Sequence, residues 1–210
     1  IRDFGRGLRY EHFTQKENDE KLSAEGIIGK FGIGLKDALA TIERKGAKVT
    51  IISKYGDIFL GKSSKAGFED LVTLHAYIGE PSSPNFEGTD FILTNVSDFD
   101  VAEAKKLFLK FNGEQVIERT KYGEVLEKKS STGNIYINGV LVATEENFLF
   151  SYNITLISSA IRKAINRERA NVGRAAYAGT VKAIHMECQS KEIAVKLGDD
   201  LKQFSSGNTH

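Results

Sequence analysis

The stretch Gly29-Lys30-Phe31-Gly32-Ile33-Gly34, followed directly by Leu35-Lys36-Asp37-Ala38-Leu39, decides the fold prediction. Its glycines allow the backbone to approach another group closely, and they end where a helix is predicted to begin. Leu35, Leu39 and Ile42 would share one apolar face of that helix. Because the first amides of a helix lack internal acceptors and lie at its positive end, a glycine-rich turn leading into them is a common phosphate site. The alternative is that these glycines only allow the turn to pack tightly.

Composition is that of an ordinary globular protein. The chain has 210 residues, of which 40% are hydrophobic and 27% charged, and its net charge is +1. This charge does not indicate a nucleic-acid or membrane-surface partner, and no apolar run is long enough to cross a bilayer. The single cysteine, Cys188, fits a reducing compartment, so a cytoplasmic location is predicted. Since the chain does not open with Met, and Ile1-Arg2-Asp3 reads as a strand end in progress, a fragment of a longer protein is predicted.

The first half of the chain predicts a sheet with one helix. Residues 8–28 are mostly polar, so most of their side chains are predicted to belong to a solvated loop or short helix, although so long a segment between two glycine motifs is also typical of a lid. The helix is predicted over 33–45. Runs rich in β-branched and aromatic residues predict strands, and the short turns between them favour antiparallel pairing. These strands are 49–53, 57–60, 71–78 and 90–94, and a helix over 101–111 follows them.

The second half predicts a hairpin followed by helices. Asn138-Gly139 stands between two apolar runs, which is the strongest short-range signal for a hairpin with a type I′ turn. From Ile154 onward the apolar residues recur at helical spacing, and residues 205–210 are predicted to be disordered. A basic cluster suits a phosphate or nucleic acid, although a solvated helix face is the preferred interpretation. It comprises Arg162, Lys163, Arg167, Arg169 and Arg174.

Three motifs taken in order resemble those of a known superfamily. Asp3-x-Gly5-x-Gly7, Gly29-x-x-Gly32-x-Gly34 and Gly88-Thr89 are similar to the motifs of the Bergerat-fold (GHKL) ATPases, which include DNA gyrase B, the ninety-kilodalton heat-shock chaperone, histidine kinases and MutL. The glycine motif of residues 27–35 is most similar to the chaperone and MORC-type versions. The resemblance covers residues 1–111 and implies a two-layer sandwich there, with a mixed, mostly antiparallel sheet and helices on one face. The residue patterns of 112–204 predict a smaller hairpin-plus-helices region, so the predicted fold class of the chain is α+β.

The resemblance also implies a role for each matching residue. Asp3 corresponds to the carboxylate that accepts a hydrogen bond from the exocyclic amine of adenine, and Thr89 to the threonine that supports Asp3 and the base through water. Gly5 and Gly7 would let the backbone lie against the base. Without the resemblance, Asp3 is an ordinary turn residue and Thr89 a plain strand residue. At the end of the site that binds the phosphates, Lys30 would add a positive charge on the lid hinge, and backbone amides at the start of the helix would bind the phosphate oxygens. The residues assigned to this end are Lys30, Phe31, Gly32, Ile33, Gly34 and Leu35.

One part of the superfamily's site does not occur in this sequence. In the superfamily, a helix before the first glycine motif carries the Asn that holds Mg²⁺ and, in hydrolysing members, the Glu that activates water. That helix would precede Ile1, so the Mg²⁺ ligand is expected upstream and no residue is assigned as general base. The chain alone is expected to bind ATP weakly without hydrolysing it, whereas its parent is expected to be an ATPase.

Two functional hypotheses follow. In the first, the chain is an ATP-binding module in which lid closure over the nucleotide drives a conformational change, with a homodimer formed through the lid or the C-terminal region. In the second, it is a non-catalytic interaction module that keeps the scaffold without nucleotide chemistry. A histidine kinase is disfavoured because no helical phospho-acceptor segment is evident. A P-loop enzyme and a Rossmann dehydrogenase are disfavoured because neither motif matches.

Overall fold

The computed structural model describes residues 1–13, 33–167 and 172–205, and it divides the chain into two units, Ile1–Asp98 and Phe99–His210. The predicted α+β class is confirmed. The described residues form two five-stranded, mostly antiparallel sheets and six α-helices. The predicted domains, 1–111 and 112–204, stay a prediction. Of the predicted disordered tail, 205–210, only Ser205 is described, and it ends a helix.

The first unit is built on an antiparallel sheet with the strand order β1-β5-β2-β3-β4. One α-helix, α1 (Ile33–Arg44), and one 3-10 helix (Tyr10–Phe13) accompany the sheet. The predicted strands are confirmed, although two of them are longer because the tight turn between them lets polar residues pair as well. The strands are β1 (Arg2–Asp3), β2 (Lys48–Ser53), β3 (Gly56–Lys65), β4 (Phe68–Gly79) and β5 (Thr89–Thr94).

Helix α1 covers one face of this sheet, as its apolar spacing predicted. Leu39 is 4% exposed and forms a cluster with Val49, Ile51 and Ile58. Leu35 and Ile42 also pack against that cluster, so the apolar stripe of the helix faces the sheet. Gly46 follows the helix with φ +79°, a left-handed conformation that a glycine adopts without steric cost and that ends a helix.

The second unit contains its own sheet, with the order β6-β7-β10-β8-β9. Strands β8 and β10 run parallel, and the other neighbours are antiparallel. The predicted "smaller hairpin-plus-helices region" is therefore wrong in extent, because three short strands complete a full sheet. The strands are β6 (Val116–Arg119), β7 (Gly123–Leu126), β8 (Gly133–Ile137), β9 (Val140–Glu145) and β10 (Ser151–Ile154).

The hairpin predicted at Asn138-Gly139 is confirmed, since both residues have positive φ, 47° and 80°, and join β8 to β9. The helix predicted over 101–111 is interrupted. Phe108 is extended and pairs with Val140, while the amide of Leu109 donates to the carbonyl of Gly139. The two resulting helices are α2 (Asp98–Lys106) and α3 (Leu109–Asn112).

Three helices pack on the second sheet. They are α4 (Ser159–Arg167), α5 (Arg174–Glu187) and α6 (Lys191–Ser205). Ile161, Tyr177, Ile184 and Ile193 from these helices are at most 1% exposed and share one core with the strands. The carboxylate of Glu118 on β6 accepts hydrogen bonds from the amides of Gln189 and Ser190, at 2.7 and 3.0 Å, and so satisfies donors just before α6.

A glycine decides how closely β1 approaches β5 in the first unit. Gly88 has φ +120°, and a Cβ atom at this position would lie 2.0 Å from the carbonyl oxygen of Asp3. We expect Gly88→Ala to lower the free energy of unfolding by roughly 1–3 kcal/mol more than Gly67→Ala, because overpacking adds to backbone strain. Gly67 is the matched control, since its φ is +80° and no atom lies within 4 Å of its Cβ position. Denaturant unfolding measures both variants, and equal losses would contradict the close approach.

Candidate functional site

A row of polar residues crosses the first sheet. Asp3 on β1 pairs directly with Thr89 on β5, and Thr89 pairs with Ser53 on β2. Residues directly opposite in an antiparallel sheet project from the same face. Ser53 shares its face of β2 with Val49 and Ile51, which pack under α1, because every second residue of a strand points to the same side. The row Asp3–Thr89–Ser53, the polar row below, therefore lies on the face that carries α1.

Asp3 and Thr89, which pair directly, differ in exposure. Asp3 is exposed, and its Oδ1 accepts a hydrogen bond from the amide of Gly5 at 2.7 Å. Thr89 is only 3% exposed. An exposed carboxylate acceptor therefore stands beside a buried hydroxyl residue, and the short turn after Asp3 holds the carboxylate in place.

The glycines of the first motif bring the backbone against the polar row. A Cβ atom at Gly5 would lie 3.0 Å from Asp3 Oδ1. At Gly7, where φ is +86°, it would lie 2.9 Å from Ser53 Oγ and 3.2 Å from the carbonyl oxygen of Gly88. Both glycines therefore lie close to protein atoms of the row, and the prediction that Gly5 and Gly7 let the backbone lie against an adenine base stays a prediction.

Ser53 is the member of the row that the sequence analysis missed. It is fully buried, its Oγ accepts from the amide of Leu8 at 3.0 Å, and it donates to the carbonyl of Leu8 at 2.9 Å. The hydroxyl thus fixes the chain that leaves the glycine turn. The available signal was a polar residue, Ser53, in the alternating series of β2 whose other members, Val49 and Ile51, are buried. A hydroxyl buried in such a series requires hydrogen-bond partners.

Positive charge lies beside the same turn. The guanidinium of Arg9 donates to Tyr55 OH at 2.8 Å and stands 4.4 Å from the ring centroid, while Lys54 Nζ is 5.4 Å from that centroid. The hydrogen bond from Arg9 lowers the pKa of Tyr55 from its ordinary value. A Cβ at Gly7 would lie 3.4 Å from the Tyr55 ring, so these cations border the glycine turn.

The remaining predicted site residues are described only in part. Ile33, Gly34 and Leu35 form the start of α1, and Leu35 packs on the same apolar cluster as Leu8. Lys30, Phe31 and Gly32 lie outside the described residues, as does most of the predicted lid. Within residues 1–13, 33–167 and 172–205, no group of His, Cys, Asp or Glu side chains is placed to hold a metal ion.

Ser53 provides a test of how the glycine turn is positioned. We expect Ser53→Ala to lower stability by about 1–3 kcal/mol and to speed hydrogen exchange at the Leu8 amide, because that amide and carbonyl lose their partner. Hydrogen exchange read residue by residue measures the effect. Ser64→Ala on the exposed part of β3 is the control, and equal protection of Leu8 in both variants would refute the role of Ser53.

The second unit holds an apolar groove with a partly buried histidine, His185. The groove has a volume of about 460 Å³ and is lined mainly by α5, with Phe148 and Leu197. His185 Nε2 lies 2.6 Å from Tyr152 OH, whereas the buried Nδ1 atom has no hydrogen-bond partner among the described residues. Burial lowers the pKa of His185 from 6.5 and raises that of Tyr152. The groove therefore favours a neutral imidazole.

The pKa of His185 gives a pH dependence with a definite sign. Because the folded state lowers this pKa, the unfolded chain binds more protons below about pH 6.5, and stability is lost as the pH falls through the folded value. We expect His185→Gln, whose amide can still bond Tyr152 OH, to lose less stability on acidification than the unmodified protein. Denaturant unfolding across this pH range measures the difference. Parallel curves would show that His185 does not contribute.

The basic cluster predicted from the sequence is described only in part, and its described members lie on two different helices. Arg174 pairs with Glu145, and its guanidinium lies 5.2 Å from the Phe148 ring centroid. Arg162 and Lys163 lie on α4, whereas Arg169 falls outside the described residues, and of Arg167 only the backbone is described. In the part of the chain that the structure describes, no helix is long and apolar enough to cross a membrane.

Comparison with known proteins finds relatives of this chain in Mycoplasma pneumoniae. Residues 99–191 match the family model of the Mycoplasma pneumoniae MPN635 N-terminal domain. A Mycoplasma pneumoniae protein described as an uncharacterized protein is 36% identical over 186 residues, which are 88% of this chain and 74% of the relative. A second protein of that organism, with the same description, is 29% identical over 114 residues, 52% of this chain and 32% of its own length. No solved structure matches.

These findings correct the superfamily assignment made from the glycine motifs. The match is to a mycoplasma family, and neither a GHKL ATPase family nor a related structure is found, so the identification with the Bergerat-fold ATPases is wrong. The physical reason is that short glycine motifs report close backbone approach and positive φ, which unrelated folds also require.

Proposed function

The chain belongs to the same protein family as its 36% identical Mycoplasma pneumoniae relative, and from the geometry of its first unit we propose that it is an ATP-binding module. The observation that supports the proposal is the direct pairing of Asp3 with Thr89 beside the turn of Gly5 and Gly7. An exposed carboxylate acceptor, a buried hydroxyl residue and the backbone of the glycine turn therefore lie side by side.

In the proposed complex, Asp3 reads the adenine. A carboxylate only accepts hydrogen bonds, and the exocyclic amine of adenine is a donor at the edge of the ring. Because Gly5 and Gly7 carry no Cβ, the face of the base can lie against the turn that contains them. Guanine presents a carbonyl oxygen where adenine presents its amine, so the same carboxylate discriminates against GTP.

The phosphates belong at the other end of the site. The start of α1 is a helix N-terminus, whose free amides favour anions, and Arg9 and Lys54 add positive charge beside the turn. When bound with ATP, Mg²⁺ would neutralise part of the phosphate charge. Closure of the predicted lid and ATP hydrolysis stay predictions.

The second candidate, an interaction module without nucleotide chemistry, is favoured by one observation. Among the described residues, the atoms nearest to the Cβ positions of Gly5, Gly7 and Gly88 all belong to the first unit. The glycines therefore have a packing role whether or not a nucleotide binds, and only a binding measurement separates the two functions.

Calorimetry with a non-hydrolysable ATP analogue and Mg²⁺ provides that measurement. We expect Asp3→Asn to weaken binding about 10- to 100-fold, since a hydrogen bond to a charged group contributes roughly 1.5–3 kcal/mol. The amide keeps an oxygen for the Gly5 N–H, so the turn should stay folded. Asp70→Asn, at an exposed position on β4, is the matched control.

The outcomes separate the candidates. Binding that Asp3→Asn weakens and Asp70→Asn does not, with ATP preferred over GTP, supports the nucleotide site. If the folded chain fails to bind the analogue, the nucleotide proposal is excluded and the interaction module remains.

A further inference from the structure

Strand β4 is an edge of the first sheet, and among the described residues only β3 pairs with it. It stands last in the order β1-β5-β2-β3-β4 and runs for 12 residues, Phe68–Gly79, with β3 as its neighbour. At about 3.4 Å per residue, such a strand is roughly 40 Å long. Because β3 pairs with one side of its backbone, the other side presents amides and carbonyls to any strand that approaches.

The edge lacks the features that usually prevent strand addition. From Leu71 to Gly79 the strand contains no Pro, Lys, Arg, Asp or Glu, and its only acidic residues, Glu69 and Asp70, lie at the hairpin tip. The register irregularity of the hairpin is also confined to the tip, at Ser64/Lys65. Natural edge strands are normally protected by charges, prolines or bulges, so this stretch is suited to pairing.

The strand is also unusually apolar for an exposed edge. Val72 is 60% exposed and Leu71 48%, while Ile78 is 41% exposed although its partner on β3, Ile58, is 1% exposed. On the face opposite α1, Tyr77 stacks on Phe59 with ring centroids 5.3 Å apart. Both faces of the sheet therefore carry apolar side chains as far as the edge strand. The described residues of this unit leave those side chains of β4 partly exposed.

We propose that two copies of the chain pair antiparallel through β4, about a two-fold axis at Leu74, and so form one continuous ten-stranded sheet. This inference does not depend on nucleotide binding. In this register Leu71 lies opposite Tyr77 of the other copy, and Val72 lies opposite Ala76. In this register, residues on one face of β4 lie opposite residues on the same face of β4 in the other copy. A one-residue slip would instead set residues of one face opposite residues of the other face along the whole strand.

Charge favours a second copy as the occupant. In the proposed register, Glu69 lies opposite Gly79 and Asp70 opposite Ile78, so no like charges oppose each other across the axis. The net charge of +1 also leaves little long-range repulsion between copies. A C2 interface needs a self-complementary surface, and an apolar strand without opposing charges provides one.

The experiment exploits the predicted pairing of residues 71 and 77. Sedimentation equilibrium of the unmodified chain over a wide concentration range should show a monomer–dimer equilibrium. Leu71→Glu alone and Tyr77→Lys alone should each weaken the dimer at least about tenfold, because each places a charge against an apolar residue. The double variant should recover most of the affinity, since each introduced carboxylate then faces an ammonium of the other copy.

Controls distinguish this interface from others. Leu201→Glu, at a 67% exposed position on α6, should leave the dimer unchanged, and circular dichroism should show that each variant is folded. A protein that stays monomeric at every concentration would overturn the proposal. So would a dimer that Leu201→Glu dissociates while Leu71→Glu and Tyr77→Lys do not, because the C-terminal region would then form the interface. A double variant no tighter than either single variant would exclude the register centred on Leu74.

Discussion

The register between β1, β5 and β2 is the constraint on which the first unit depends. It sets Asp3 opposite Thr89 and Thr89 opposite Ser53, and thereby decides that three polar residues distant in sequence form one row. On the other face, the guanidinium of Arg2 bonds both carboxylate oxygens of its cross-strand partner Asp90, which lowers the pKa of Asp90. Two cross-strand contacts on opposite faces therefore hold a very short strand in a single alignment.

The second unit contains a network of buried, hydrogen-bonded polar side chains next to its sheet. Glu114 is 9% exposed, and its Oε1 accepts from Ser151 at 2.7 Å and from Asn134 at 3.0 Å. Tyr136 adjoins this cluster and accepts from Asn112 at 2.8 Å. Burial and the neighbouring Glu114 raise the pKa of Tyr136 to about 12. Because an unmatched buried carboxylate is costly, this network restricts which residues can pair across β8 and β10.

The sequence indicated where the chain of the candidate site contains glycines, and the structure shows what they do there. Gly7 and Gly88 have positive φ, and Gly5 lies close to Asp3, whereas the predicted role of these residues against an adenine base stays a prediction. The lineage inferred from the glycine motifs was wrong, because glycine spacing specifies where a chain can turn and not which family it comes from. Ser53 escaped prediction because its role depends on Leu8, 45 residues away.

The sequence by itself determined the elements whose signal is local. The apolar spacing of Leu35, Leu39 and Ile42 specified α1, and Asn138-Gly139 specified the hairpin of β8 and β9, since each pattern depends only on neighbouring residues. Only the tertiary structure decided the break at Phe108, the short strands of the second sheet, the polar row and the edge position of β4. Each of these depends on which distant strand supplies the partner hydrogen bonds, and strand pairing is a choice among registers that no local periodicity encodes.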